Sequence, residues 1–270
     1  MSAGGLRAAR RLVRRGLEKS GLIGPYYRML ERRMARNAGT AADDGLPMPP
    51  ADLLVAVNSS ADQAWFSERG RADVRHFLDL AVAEGLVVGR PLTVVDFGCG
   101  CGRIARWLAP QIEAGGGRFH GSDLNPRLVA WCAANLQGRY TVNDLAPPLD
   151  LPDASVDFIY AYSVFTHLAE ATVIAWAAEL ARVLRPDGRA VITFHDEAYA
   201  RRWGPPEVAP RLASERYVVW NNALEGSNYL SAWTTQARFR ELVAPGLDVL
   251  RIIPGGGEVP EQAIAVLKHR

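Results

Sequence analysis

Only three of the 270 residues are cysteine: Cys99, Cys101 and Cys132. An odd count with no framework spacing excludes a disulfide-stapled fold and points to a reducing compartment. No apolar run approaches the roughly 20 residues that a membrane-spanning helix needs. The first residues show no apolar block followed by a small-residue cleavage site, so a soluble, cytoplasmic chain is expected. No Gly-Lys-Ser/Thr triplet occurs, which excludes a P-loop, and no internal repeat is visible. What is present, 49% apolar and 22% charged residues, suits one large globular domain with a modest appendage.

The net charge of +2 conceals an asymmetry. Residues 1–37 carry ten Lys/Arg against Glu18 and Glu31, a local charge of +8, and the remainder stands at −6. Within this arm Leu6, Ala9, Val13 and Leu17 fall near one helical face. Arg7, Arg11, Arg14 and Arg15 lie mostly off it, the pattern of a short basic amphipathic helix. Gly21, Gly24 and Pro25 are expected to break that helix, a second runs over 26–36, and 37–50 reads as a linker. The arm suits contact with an anionic membrane surface, which would make the protein peripheral there, with nucleic acid or with an acidic partner, or it is simply a solvated leader.

Beyond the linker, 52–84 has one helical period. Strands and helices then alternate: strand 92–97, a helix starting at 103–108, strand 118–121, helix 126–136 with proline in its first turn, strands 140–142 and 158–162, helix 171–184 and strand 190–194. Such alternation implies a parallel sheet with helices on both faces. Two final strands, 247–253 and 263–268, are joined by a short Pro/Gly link that suits an antiparallel pair.

The most informative segment is Val94-Val95-Asp96-Phe97-Gly98-Cys99-Gly100-Cys101-Gly102-Arg103. A buried strand runs into a loop with glycine at every second position, and the loop opens a helix whose free N–H groups face the strand's carboxyl end. Arg103 stands where a dinucleotide fingerprint needs glycine, which disfavours NAD and FAD. Asp123, at the end of the second strand, can accept both hydroxyls of a ribose, and Asn143-Asp144, at the end of the third, can meet an adenine amine.

With these blocks the chain from about residue 51 resembles the class I S-adenosylmethionine-dependent methyltransferases. The resemblance rests on the 96–103 loop, Gly121 to Pro126, Asn143-Asp144, the strand and loop 157–168, and the Glu179 to Gly188 stretch. It implies an α/β, Rossmann-like seven-stranded sheet of order 3-2-1-4-5-7-6 with the last strand antiparallel. The resulting organisation is a basic arm and linker over 1–50 and a methyltransferase domain over 51–270, with 196–235 inserted on the substrate side. S-adenosyl-L-methionine is the implied cofactor. Gly98, Cys99, Gly100 and Gly102 would line its methionine part, Asp123 and Leu124 its ribose side, and Asn143 and Asp144 its adenine, with Asp96 ordering the loop and Ser163 adjoining the site.

Methyl transfer chiefly requires alignment and exclusion of water, but an alcohol acceptor benefits from a base. His167, after the fourth strand, and His195, after the fifth, are the candidate catalytic residues; as the alternative, His167 caps or orders its loop. A metal held by His195, Asp196 and Glu197 is not expected, and Cys99 and Cys101, lacking a second pair, read as packing, as does Cys132. Six aromatics in the insertion, Tyr199, Trp203, Tyr217, Trp220, Tyr229 and Trp233, form either an acceptor wall or the insertion's own core. The expected reaction is methyl transfer to an oxygen of a small molecule or glycan. The alternatives are a non-catalytic S-adenosylmethionine-binding partner and an RNA methyltransferase using the arm. The Asn/Asp-Pro-Pro-aromatic stretch of nucleobase amino-methyltransferases is absent, and nucleic acid is not the expected partner.

Overall fold

Strand β1 (Thr93–Phe97) is buried on both faces apart from its first residue, as its unbroken Val-Val-Asp-Phe run requires for the centre of a parallel sheet. The computed structural model describes residues 20, 22–36, 42, 44–258 and 261–270. The amphipathic helix expected over 6–17 lies outside the described residues.

The described chain opens with α1 (Ile23–Ala35), α2 (Ala51–Asn58) and α3 (Gln63–Ala83). The alternation then follows: β1, α4 (Ala105–Ala114), β2 (Arg118–Asp123), α5 (Pro126–Asn135), β3 (Arg139–Val142), β4 (Val156–Ala161), a 3-10 turn at Phe165–His167, α6 (Glu170–Val183) and β5 (Leu184–Phe194). The insertion contributes α7 (Glu197–Arg202), α8 (Val208–Glu215), β6 (Tyr217–Trp220) and β7 (Ser231–Thr234). Helix α9 (Gln236–Val243) and strands β8 (Leu247–Ile253) and β9 (Ala263–His269) complete the order.

The main sheet runs β3-β2-β1-β4-β5-β9-β8, with β9 antiparallel to both neighbours, which is the topology expected. Because side chains alternate across a strand, Val95 and Phe97 join Ile159, Trp176 and Leu180 on one face. Val94 joins Phe158, Phe77 and Leu108 on the other. A separate antiparallel hairpin pairs β6 with β7.

Several expectations change. The single helical stretch over 52–84 is two helices, because Ser59 turns left-handed at φ +54° and Asp62 caps α3 by accepting from the Trp65 amide at 3.0 Å. Helix α1 starts at Ile23, three residues earlier than expected, so Gly24 and Pro25 stand in its first turn, where proline's missing N–H has no intrahelical partner to lose. The helix they were expected to end lies outside the described residues. Strand β5 begins at Leu184, which pairs with Val156 ahead of a register shift, so the strand is longer than expected. The described end of the linker lies against the body. Asp44 accepts from Ser67 and, at 3.0 Å, from the buried Arg106.

Candidate active site

The glycine loop is shaped by its neighbours on both sides. The Gly98 and Cys99 amides donate to Ser122 O at 2.8 and 2.9 Å, and the Gly100 amide donates to Asp123 Oδ2 at 2.9 Å. Asp123 Oδ1 accepts from the Asn125 amide at 2.8 Å, so one carboxylate ties the loop to the β2–α5 turn. Both its oxygens keep lone pairs for a further donor. Gly98 has φ +79°, and a Cβ there would collide with Val164 Cγ2; at Gly100 (φ +54°) a Cβ would meet Val57 of α2 at 3.0 Å. The amino-terminal helices therefore cover the loop, and Cys101 is buried among Leu53, Leu54, Phe66 and Leu128. Cys99 and Cys132 are also buried and unoxidised, each placing its thiol near Gly100 O.

Behind the loop Asp96 is 3% exposed. Burial, opposed by the Tyr160 hydroxyl and reinforced by nearby Asp123, pushes its carboxyl up to about 7. Burial also raises Asp123, although its two amide partners oppose the shift. Arg103, which took the place of a fingerprint glycine, is buried in an ion pair with Asp73 of α3, its guanidinium 4.3 Å from the centre of the Tyr162 ring. It ties α3 to the loop.

On the adenine side expected from sequence, the Asn143 amide donates to Asp123 O at 3.1 Å, while Asp144 is exposed. Leu124 adjoins Gly226 of the insertion. Ser163 sits at φ +60°, its amide bonded to Thr193 Oγ1 at 2.7 Å and its hydroxyl accepting from Gln262 Nε2 at 2.8 Å. Thr193 donates in turn to Gln262 Oε1 at 2.6 Å. Sequence reading missed Thr193 and Gln262; a lone hydroxyl inside the Ala-Val-Ile-Thr-Phe run of β5 was the available signal.

Buried polar atoms beside this cradle that lack partners among the described residues include Asn58 Nδ2, next to Val57, Ser122 Oγ, and Asn143 Oδ1, next to Asp123. Leaving such atoms unpaired is costly. A ligand with a carboxylate at one end and an amine-bearing base at the other complements Asn58 Nδ2 and Asn143 Oδ1, so the residues present fit S-adenosylmethionine.

The two histidines converge on β7 and the residue that enters it. His167 Nδ1 lies 2.6 Å from Leu230 O, and His195 Nδ1 lies 3.1 Å from Ala232 O. Burial lowers His167 below its usual value, and burial together with His167 pushes His195 down to about 3. His195 also stacks on Tyr199 at 4.2 Å. Asp196 and Glu197 are engaged elsewhere, Asp196 by the Tyr199 amide and Gln236 Nε2, Glu197 by the Gln236 amide. Among the described residues no group of three His, Cys, Asp or Glu is placed to hold a metal ion.

Beside the hairpin opens a cleft of about 440 Å³, and the ring of Trp233 in its wall lies 5.8 Å from that of His195. Its walls are Trp220, Asn221, Asn228, Tyr229, Ser231 and Trp233 of the hairpin region, with Pro205 and Ser59; Tyr27, Leu30 and Met34 of α1 roof it. Tyr27 stacks on Tyr229 at 4.0 Å, and the Tyr229 hydroxyl donates to Glu31. Trp233, Trp220 and Tyr199 pack with Ala200, Val208, Leu212 and Val218 as the insertion's own core, and the two tryptophans also line the cleft.

Residues 94–188 match the model of a family described as a methyltransferase domain. The chain is 31% identical over 154 residues to a malonyl-[acyl-carrier protein] O-methyltransferase of Hahella chejuensis, covering 54% of this chain and 53% of that protein. It is 34% identical over 113 residues to methyltransferase GfsG of Streptomyces halstedii, covering 40% of each. The matches thus span about half or less of these curated relatives. Among solved structures, the CcbJ methyltransferase of Streptomyces caelestis shares the fold with a TM-score of 0.52 at 16% identity, over 74% of this chain and 89% of that one. Set in the sheet order and glycine loop already described, residues 94–188 are thus similar to a methyltransferase domain, and the chain shares its fold with solved methyltransferase structures.

Proposed function

We propose that the protein methylates a hydroxyl oxygen of a neutral small-molecule or glycan acceptor seated in the cleft beneath α1. The observation that carries this reading is the cleft's chemistry. Its volume is within the range of roughly 300–1,000 Å³ for small-molecule sites. Its lining is aromatic, apolar or uncharged polar, with no charged side chain among the described lining residues. Flat aromatic faces and side-chain amides suit a ring that has both an apolar surface and hydroxyls.

S-adenosylmethionine supplies an electrophilic methyl group that needs no covalent enzyme intermediate. The protein's own work is then alignment, drying and proton removal. Since the Leu230 carbonyl can only accept, His167 carries its proton on Nδ1 and presents Nε2 as a free base. His167 Nε2 would take the acceptor's hydroxyl proton and pass it to solvent. His195 is held in the same tautomer by Ala232, but with its pKa near 3 it is the weaker base and serves better to set the position of β7. The α1 roof and the Trp220–Trp233 wall exclude water.

The malonyl-[acyl-carrier protein] relative suggests a second reading, methylation of a carboxylate. A free carboxylate would enter the cleft without a cationic lining residue to offset its desolvation, which favours the neutral acceptor. The test is transfer of labelled methyl from S-adenosylmethionine to a panel of neutral glycosides, polyketide-type alcohols and malonyl thioesters. An alkali-stable ether formed on the neutral members supports the proposal; an alkali-labile ester formed only on the malonyl thioesters overturns it.

A further inference from the structure

Helix α1 has two apolar faces, and only one is used. Tyr27, Leu30 and Met34, at i, i+3 and i+7, turn toward the cleft. About a third of a turn away, Leu22, at the helix start, Tyr26 and Met29 stand at i, i+4 and i+7 and are 54%, 37% and 58% exposed. The same stripe continues as exposed Arg33 and Arg36, with exposed Arg32 at its edge. Single exposed apolar side chains need no explanation, but an aligned leucine, tyrosine and methionine running into arginines is a different case.

We infer that this outer face of α1 is a contact surface for an anionic lipid bilayer. A helix with apolar side chains to sink into the headgroup boundary and arginines to meet lipid phosphates has the chemistry of an interfacial helix. The charge agrees, since residues 1–37 carry +8 and the remainder −6, so the surface that would approach an anionic membrane is the one oppositely charged to it. The helix has 13 residues, too few to cross a bilayer, and no helix among the described residues is long and apolar enough to do so. Nucleic acid would use the arginines but leave the leucine and methionine without a role. Because the neighbouring face of α1 roofs the cleft, lipid contact and entry to the cleft act on one element.

The test uses the full chain in sedimentation with vesicles of phosphatidylcholine and phosphatidylglycerol at about 3:1, against phosphatidylcholine alone. Binding is expected to the anionic vesicles and to be about tenfold weaker in the double variant L22E/M29E, with the thermal midpoint unchanged. The milder pair L22S/M29S should weaken binding in the same direction, so that loss of binding is not ascribed to unfolding. R33E/R36E should weaken it as well. No sedimentation with anionic vesicles overturns the inference. Undiminished binding of both Leu22/Met29 pairs overturns it too, by showing that diffuse charge elsewhere in the arm is responsible. Retention of an oligouridylate without vesicle binding overturns it in favour of nucleic acid. None of these readouts depends on methyl transfer.

Discussion

His167 holds its Nδ1 2.6 Å from the main-chain oxygen of Leu230, a contact between the turn after β4 and the entry to β7. The acceptor wall and the candidate base are therefore parts of one assembly. A shift of the hairpin would change both the shape of the cleft and the orientation of the imidazole.

The first expectation concerns that imidazole. Burial lowers the His167 pKa below the usual imidazole value of 6.5, so Nε2 should stay unprotonated as pH falls through 6.5. Nitrogen-resolved NMR should find a neutral ring with hydrogen on Nδ1 near neutrality. The acid limb of kcat/KM, once an acceptor is known, should fall below the ordinary imidazole value. His167→Gln should lower kcat by about 100-fold to 10,000-fold while leaving affinity for S-adenosylmethionine unchanged. A charged ring at pH 6.5, or an equal loss of cofactor affinity, would count against the assignment.

Asp123 offers a test without any acceptor. Its carboxylate holds the Gly100 and Asn125 amides and is the expected partner of the ribose. Calorimetry should show affinity for S-adenosylmethionine falling on the order of 100-fold in Asp123→Ala, and less in Asp123→Asn, which keeps one acceptor oxygen. Unchanged affinity would remove Asp123 from the cofactor site.

At Gly98 a methyl group meets both a left-handed backbone and the Val164 side chain. Gly98→Ala should cost about 2–4 kcal/mol in urea unfolding. Adding Val164→Ala should recover the steric share, giving a coupling on the order of 1 kcal/mol. Simple additivity of the two changes would show that the collision is not what the alanine pays for.

Asp96 carries a pH signature. Its carboxyl rises from 3.8 to about 7 in the folded protein, so the native state holds the proton more tightly than the unfolded chain does. The stability this provides is full below pH 3.8 and is lost as pH rises toward 7. In Asp96→Asn that loss is missing. The variant should therefore gain on the parent protein steadily between about pH 4 and 7, as followed by urea midpoints at several pH values.

The sheet was legible because its strands are short β-branched or aromatic runs bounded by turn residues. Val94 to Phe97, running into alternating glycines, marks the centre of the sheet and the cradle together. The break at Ser59 was not legible, since the apolar period of α2 continues into α3 and the turn depends on one left-handed residue and the Asp62 cap. The hairpin partners Val218 and Trp233 were invisible for a different reason. Their pairing spans a connection with no tight-turn signature, so nothing local sets the register. The stacking of Tyr27 on Tyr229 joins distant segments and has no sequence period at all. His167 and His195 were visible as residues, but the fixed tautomer that gives them a chemical direction comes from main-chain oxygens, which leave no trace in side-chain identity.

Strand β9 lies between β5 and β8 and bonds to both, although β5 precedes it by the whole insertion. During synthesis β5 therefore leaves one edge open while α7, α8, the hairpin, α9 and β8 are being made, and β8 has no place in the sheet until β9 arrives. An interval with two unpaired strand edges invites wrong pairing between nascent chains. Released chains truncated before residue 263 should accordingly depend more on chaperones than chains that include all of β9.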